Sequence, residues 1–292
     1  KHIKYEYIRN NLDKSKMLTK TSYKDLFDLN GKVAVVTGGA GILGQNFCMG
    51  LSELGANVAV VDINLDKASE TAKIISNLHK GNIHGFACDV SDPSSVKEMV
   101  EEVVSEFGEI NILHNNAACK SDNLDAFFAP FEEYTLDQWR EIMSVNIDGM
   151  FLVAQAVGNQ MIKQGKGGSI IQTSSIYGVM APDQSIYEGS FYLDRKINTP
   201  AVYTTSKAAV IGLTKHLASY WADYDIRVNT LTPAGVESGQ NDEFIKRYSA
   251  RVPMNRMAGE SEIVGALLYL ASNASSYVTG QNIIVDGGLN CI

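Results

Sequence analysis

Tyr203 and Lys207 stand four positions apart in Tyr203-Thr204-Thr205-Ser206-Lys207. On a helix that spacing puts both side chains on one face. An ammonium beside a phenol stabilises the phenolate and brings a poor acid–base group closer to working pH. Tyr192 and Lys196 repeat the spacing, so the pair needs context. Ala208, Ala209, Val210 and Gly212 follow Lys207 and suit a helix buried against a sheet, whereas Tyr192 lies in a polar stretch between Gly189 and Pro200. Ser175 closes Thr173-Ser174-Ser175 after the run 169–173. Its hydroxyl could polarise a carbonyl, or serve only as a cap or turn. Asn146, in Val145-Asn146-Ile147-Asp148-Gly149, falls inside a predicted helix. Asn is mildly unfavourable there, a cost compatible with a functional role.

A second constellation would hold a cofactor. Thr37-Gly38-Gly39-Ala40-Gly41-Ile42-Leu43-Gly44 joins a β-branched run to a helix, and Gly39, Gly41 and Gly44 spell G-x-G-x-x-G. Such glycines allow a tight turn, close approach of backbone to a pyrophosphate, and close packing of helix on sheet. The helix N-terminus adds unpaired N–H groups and the positive end of a dipole. The flanking strand and helix make the motif specific; the alternative is plain strand–turn–helix packing. Asp62 ends the second strand, 18 residues after Gly44. A carboxylate there accepts both hydroxyls of an adenosine ribose and repels a 2′-phosphate. No Arg or Lys stands at Gly39, Ala40, Ile63 or Asn64 to attract that phosphate. The reading is NAD in preference to NADP, the alternative being that Asp62 caps the next helix. Asp89 and Val90 follow the third strand and either meet the adenine edge or make a turn.

These groups need a scaffold. From Gly31 onward, short apolar runs alternate with helical patterns. Strands are read at 32–36, 57–61, 83–88, 110–114, 169–173, 227–231 and 282–285. Helices are read from near Gly41 to Leu54, at 66–78, from Ser91-Asp92-Pro93 to about Phe107, from Thr135 through about Gln164, at 200–221 and at 260–270. Thr135 followed by Gln138 is a capping-box signature, and Pro at an early helical position loses no hydrogen bond. Alternation of this kind implies a parallel sheet covered on both faces.

Composition narrows the classes. The 292 residues carry a formal net charge of −8, which argues against a nucleic-acid partner. No window approaches a membrane span. Cys48, Cys88, Cys119 and Cys291 lie far apart with no C-x-x-C pair, so no metal site is read and reduced thiols in a cytoplasmic protein are the simpler reading. The first 30 residues are rich in Lys, Asn and Tyr and lack the apolar stretch of a secretory signal. They read as an N-terminal tail or, since the chain starts at Lys1, a vector-derived extension.

Taken in order, the Gly loop at 37–44, Asn115-Asn116-Ala117, Asn146, Ser175, Tyr203-xxx-Lys207, Pro233, and Thr279-Gly280-Gln281 leading to Asp286-Gly287-Gly288 resemble the classical short-chain dehydrogenase/reductase family. The resemblance runs from Leu29 to Gly288. It implies an α/β fold: a single Rossmann-type, doubly wound domain at 31–292 with a mostly parallel sheet of about seven strands. It implies that Tyr203 is the general acid/base, that Ser175 orients the substrate oxygen, and that Lys207 holds the nicotinamide ribose and lowers the Tyr203 pKa. Asn146 would hold a water in a proton relay, and Asn115 would support the fourth strand. Cofactor contacts would come from Gly38, Gly39, Gly41, Ile42, Leu43, Gly44, Asp62, Ile63, Asp89, Val90, Asn116, Ala117, Ala118, Tyr203, Lys207, Pro233, Ala234, Gly235 and Val236. The family forms dimers or tetramers through helices near 140–160 and 200–220, so a homodimer or homotetramer is implied.

The chain departs from the family pattern at several places. Ile42 stands where the family places Gly, a spacing shared with extended-type sugar epimerases and dehydratases that retain NAD. Only 85 residues follow Lys207, which leaves no separate substrate domain of that branch. Ala118 and Ala234 replace Gly. Ser175 and Tyr203 are 28 positions apart, about twice the usual separation, so roughly fifteen residues loop out, and such loops are often functional. That spacing and the closing Thr279–Gly288 stretch are also similar, more loosely, to bacterial oxidoreductases of flagellin and nonulosonate sugar modification.

Segments 119–134, 176–199 and 237–257 should wall the substrate site. The middle one holds Tyr177, Tyr187, Glu188, Phe191, Tyr192, Asp194, Arg195 and Lys196. Aromatic faces beside hydrogen-bonding groups suit a sugar or polyol, and Arg195 and Lys196 suit an anion; a solvated loop is the alternative. Cys119 has no base partner in view, and His216 reads as a helix-surface residue. The expected function is NAD(H)-dependent interconversion of a secondary alcohol and a ketone on a small, sugar-like substrate. The alternatives are an extended-type epimerase or dehydratase and a catalytically idle NAD-binding sensor or scaffold.

Overall fold

The computed structural model describes residues 22–79, 81–193 and 195–292. The expected tail falls largely at 1–21, outside the described residues. Leu29, just before the glycine-rich stretch, already belongs to the core and donates its N–H to Leu54 O at 2.9 Å.

The order of elements is β1 (Val33–Thr37), α1 (Ile42–Glu53), β2 (Asn57–Asp62), α2 (Leu65–Leu78), β3 (Ile83–Ala87), α3 (Pro93–Phe107), β4 (Ile112–Asn115), α4 (Leu124–Phe127), α5 (Leu136–Met143), α6 (Met150–Gln164) and β5 (Gly168–Thr173). After these come a small antiparallel hairpin of β6 (Phe191–Tyr192) and β7 (Arg195–Lys196), then α7 (Ala201–Tyr220), β8 (Ile226–Pro233), α8 (Asp242–Ser249), α9 (Val264–Ala271) and β9 (Asn282–Val285). Seven strands form one sheet in the order β3-β2-β1-β4-β5-β8-β9, every neighbouring pair parallel. The order reverses between β1 and β4. In open α/β sheets that reversal leaves a crevice beyond the carboxyl ends of the strands, where ligands bind.

Both faces of the sheet are apolar because both are covered. Val96, Met99 and Val103 of α3 and Val153, Val157 and Met161 of α6 fill one side. Phe47 and Leu51 of α1, Ala72 and Ile75 of α2, and Leu267 and Leu270 of α9 fill the other. Asn64 caps α2 by accepting the Lys67 N–H at 3.0 Å, Asp92 caps α3 with Pro93 at the first position, and Thr135 accepts the Gln138 N–H at 3.2 Å.

The sequence reading needs correction in four places. The helix expected through 135–164 is interrupted by a π turn over Ser144–Gly149, which separates α5 from α6 and buries Asn146 completely. Gly149 permits this, since a Cβ there would lie 2.8 Å from Val90 Cγ2. Residue 110 is not in β4, because the Gln164 side chain occupies both Ile110 backbone groups, accepting its N–H at 2.9 Å and donating to its O at 2.8 Å. The helix expected over 260–270 opens as a 3-10 turn, Glu260–Ile263, before α9. Helices α4 and α8 were not foreseen; Asn123 and Asn241 cap them.

One hydroxyl locks the crevice. Thr37 Oγ1 accepts the N–H of Asn116 at 2.9 Å and of Ala117 at 3.1 Å, and donates to Asn115 Oδ1 at 3.3 Å. Asn115 Nδ2 donates in turn to Met150 O at 2.8 Å. The ends of β1 and β4 and the start of α6 are thereby fixed together. Thr37→Val strands two N–H groups and is expected to lower unfolding free energy by about 1–3 kcal/mol in urea melts, with Thr37→Ser close to the parent.

Candidate active site

Tyr203 and Lys207 lie one turn apart on α7, whose first turn follows Pro200. Lys207 is 3% exposed, and its Nζ donates to Thr173 O at 3.1 Å. Ser174 Oγ donates to Lys207 O at 2.6 Å, so the end of β5 grips α7 twice. Ser175 accepts the Tyr177 N–H at 3.3 Å, and its hydroxyl stands near enough to the Tyr203 phenol to lower that group's pKa. Asn146 Oδ1 accepts the Cys119 N–H at 3.0 Å while its Nδ2 donates to Ser206 Oγ at 3.3 Å; Ser206 Oγ donates back to Tyr203 O at 2.8 Å. The structure therefore brings together Tyr203 and Lys207, which the spacing places on one helix face, with Ser175 and Asn146, which the family resemblance sets beside them.

The electrostatics differ from the sequence expectation. Burial raises the Tyr203 pKa, opposed by the Ser175 hydrogen bond. Lys207 is held on Thr173 O with Nζ 5.9 Å from the Tyr203 ring centroid. Burial also pushes the Lys207 ammonium down to about 8. His114 is core: it is buried, bonded to Thr173 Oγ1 at 2.8 Å, and kept neutral by a pKa lowered to about 3. Burial raises Cys119 to about 11, so it is no ready nucleophile.

The glycine loop fits a dinucleotide. Gly38 adopts φ +63°, and a Cβ at Gly44 would lie 2.1 Å from Gly38 O, which fixes the tight approach of α1 to the loop. Gly41 caps α1 without a side chain, so no side chain occupies the first-turn N–H groups of Ile42, Leu43 and Gly44. Ile42 is tolerated because its side chain is 56% exposed. Asp62 Oδ2 accepts the Ala40 N–H at 3.2 Å, and Oδ1 accepts the Asn64 N–H at 3.2 Å. Asp62 thus stands against the loop, and the cap of α2 is Asn64. Ile63 is exposed beside it. Asp89 Oδ1 makes a turn with Ser91 N–H and Oγ, and Val90 is buried beneath Gly149. Asn116 Nδ2 donates to Thr37 O at 3.2 Å, and Ala117 lies 3.1 Å from where a Gly38 Cβ would be. Beyond β8, Pro233 pairs with Val285, Ala234 donates to Val285 O at 3.0 Å, and Val236 bridges Ala258. Gly235 donates to Tyr248 OH at 2.6 Å, and a Cβ on it would meet that ring.

A cavity of about 490 Å³ opens at Ser175 and Tyr203. Ala118 and Cys119, Phe127 and Phe128, Ala234 and Gly235 contribute to its wall. Among the described lining residues the one charged side chain is Lys120. The long segment after Ser175 roofs it. Arg195 pairs with Asp125 at 2.5 Å, Glu188 with Arg247 at 3.2 Å, and Asp183 with Arg251 at 3.4 Å. These pairs tie the roof to α4 on one side and to α8 and its C-terminal end on the other. Arg195 meets a carboxylate, that of Asp125, and so ties the roof to α4. Lys196 is exposed on β7; Asp194 and the Tyr192 side chain lie outside the described residues. Phe244 and Tyr248 lie in the expected wall segment 237–257, although the sequence reading did not single them out. Their i, i+4 spacing in an otherwise charged run was the available signal.

Comparison with known proteins agrees with this geometry. A family model described as enoyl-(acyl carrier protein) reductase matches residues 39–290. The chain is 34% identical to the D-threitol dehydrogenase of Mycolicibacterium smegmatis over 270 residues, covering 90% of this chain and 94% of that one. It is 33% identical to the NADP-dependent mannitol dehydrogenase of Alternaria alternata over 277 residues, covering 92% and 96%. Among solved structures, a short-chain type dehydrogenase/reductase from Mycobacterium marinum superposes with a TM-score of 0.81 at 34% identity, covering 93% of this chain and all of that one.

A buried lysine with a lowered pKa costs stability whenever it is charged. That cost is full below about 8 and fades as pH rises toward the free-lysine value of 10.5. The Tm of Lys207→Met minus that of the parent is therefore expected to be largest near pH 7 and to fall between pH 8 and 10.5, read by thermal melts across pH.

Proposed function

Because the chain belongs to the short-chain dehydrogenase/reductase family, we propose that it oxidises a secondary alcohol of a polyol or sugar derivative to the ketone, reversibly, with NAD. The observation that carries this reading is the meeting of Ser175, Tyr203 and Lys207 at the carboxyl edge of the sheet, between the glycine loop and the cavity. The bound dinucleotide supplies a nicotinamide that accepts the hydride. Ser175 Oγ hydrogen-bonds the carbinol oxygen, and the Tyr203 phenolic oxygen takes its proton. Lys207 holds the nicotinamide ribose. Asn146 is a positioning residue, since its amide ties the cavity floor at Cys119 to Ser206 and the Tyr203 turn. A polyol is favoured by the hydroxyl and amide groups of Tyr177, Asn198, Gln240 and Asn241 set among aromatic faces, and two relatives act on polyols by name.

NAD is favoured over NADP because Asp62 places a carboxylate against the glycine loop with exposed Ile63 as its neighbour. The Gly38–Gly44 loop holds the pyrophosphate, Asp62 the adenosine ribose, and residues 233–236 the nicotinamide face. Residues 31–292 form the catalytic domain behind an N-terminal tail. The exposed small residues Ala201, Ala208, Ala209 and Gly212 on α7, with exposed Phe151 on α6, suit a homodimer or homotetramer. Four unpaired cysteines suit the cytoplasm.

NADH formation from D-threitol, D-mannitol and xylitol, followed by absorbance, tests the reading. Tyr203→Phe is expected to lose turnover at least about a hundredfold while binding NAD with unchanged affinity; equal turnover in this variant would refute the role. Since burial raises the Tyr203 pKa, oxidation is expected to accelerate as pH rises and ketone reduction to slow. Asp62→Ala with Ile63→Arg should lower the NAD-to-NADP preference by at least about tenfold in kcat/KM.

A further inference from the structure

The stretch beyond β8 rests on a side chain that none of the roles above uses. Gly235 donates its N–H to Tyr248 OH at 2.6 Å and accepts the Ala258 N–H at 3.0 Å. The amides on either side are held by main chain: Ala234 donates to Val285 O at 3.0 Å, and Glu237 to Ala258 O at 2.9 Å. Of these three amides, that of Gly235 is held by a side chain, and the side chain comes from α8.

The sequence carries a trace of this contact. Where the family places a glycine the chain has Ala234, and its glycine comes one position later. Gly235 is not among the residues with positive φ, so backbone conformation does not demand a glycine there. Space does. A Cβ on Gly235 would lie 2.6 Å from two atoms of the Tyr248 ring and 3.0 Å from Met257 Cε. The displaced glycine marks the place where the ring lies against the main chain.

Tyr248 is itself firmly seated. It is 4% exposed and belongs to an apolar cluster with Phe244, Val252 and Met257, against which Tyr203 and Ala234 also pack. Its ring centroid lies 5.7 Å from that of Phe244, and Phe244 lies 5.5 Å from Tyr187 of the roof. All three rings line the catalytic cavity. Outside this column, Arg247 of α8 pairs with Glu188 of the roof. A continuous row of rings thus runs from the roof, along α8, to the backbone beyond β8.

We infer that Tyr248 is a positioning residue: it fixes the 234–236 main chain as the seat of the nicotinamide end of the dinucleotide and ties that seat to the roof over the substrate. The inference rests on the proposed use of residues 233–236 and names the side chain that makes it work. With the hydroxyl in place, the Gly235 amide has one position. Without it, the stretch samples others, and the affinity of a ligand that needs one of them falls in proportion to the population lost. The adenosine end is independent of this contact, because the glycine loop and Asp62 belong to the other half of the sheet and bond to each other.

The test compares two ligands on the full chain by isothermal titration calorimetry. NADH carries both ends; ADP-ribose carries the adenosine and pyrophosphate without the nicotinamide. In Tyr248→Phe the ring stays and the acceptor goes. NADH is expected to bind this variant about tenfold more weakly than the parent, the scale of one hydrogen bond, and ADP-ribose equally well. Gly235→Ala disturbs the same contact from the other side and should give the same split. Combined with Tyr248→Phe, it should add less than the product of the two single effects. Unchanged NADH binding in Tyr248→Phe would overturn the proposal. So would equal weakening of both ligands, the sign of a residue that only supports the fold. Either result leaves the dinucleotide reading standing. A parent that binds neither ligand, or both equally well, would instead overturn the reading of 233–236 and the proposal with it. If the parent takes NADPH, the same comparison with NADPH and 2′-phospho-ADP-ribose decides.

Discussion

The catalytic edge is organised around a cation taken out of water. Lys207 is almost wholly buried, and its ammonium rests on one backbone carbonyl, Thr173 O. A buried charge is costly unless it is paired and hydrogen-bonded, and here one carbonyl meets it while the neighbouring contacts hold the backbone around it. Ser174 grips the Lys207 carbonyl, the π turn presents Asn146 to Ser206, and Ser206 returns a bond to Tyr203 O. The lysine pKa drops to about 8, which puts its charge within reach of physiological pH. Burial works on Tyr203 in the opposite sense and keeps its proton on. The two groups share an environment, and burial favours the neutral form of each, the phenol with its proton on and the amine with its proton off.

Around that pair the fold behaves as two clamps. The first is Thr37, which joins the ends of β1 and β4 through Asn115, Asn116 and Ala117 and so sets the width of the crevice. The second is the segment between Ser175 and Tyr203. It crosses from α4 to α8 on three ion pairs, each worth little alone at an exposed site, and is held more firmly by side-chain to backbone bonds such as Asn198 to Phe128 O. The roof is therefore fixed at several points along its length.

The parallel sheet and the Tyr203–Lys207 pair were legible in the sequence for physical reasons, while Ser175 and Asn146 were assigned by the family resemblance. Strands buried on both faces read as continuous apolar runs, and glycines at 38, 39 and 44 are needed where a Cβ would strike backbone or force the left-handed region. The Tyr203–Lys207 spacing was legible because a helix repeats every 3.6 residues. The π turn at 144–149 was not read from the sequence, although the polar Asn146 inside the expected helix, buried in the structure, was its trace. The 3-10 start before α9 and the loss of Ile110 from β4 depended on long-range contacts, the latter on a glutamine 54 residues away. The Arg195–Asp125 pair was not legible in the sequence because the two residues stand 70 positions apart. The lowering of the Tyr203 pKa by Lys207 follows from proximity alone, whereas in the structure desolvation is the larger effect.

The most direct measurement is the titration of Lys207 itself, by NMR of the full chain carrying carbon-13 in its lysine Cε positions, with Lys207→Met to assign the signal. A midpoint near 8, well apart from the other lysines, is the predicted result. A midpoint near 10.5 would mean that the ammonium is solvated and that the edge is not built around a buried charge.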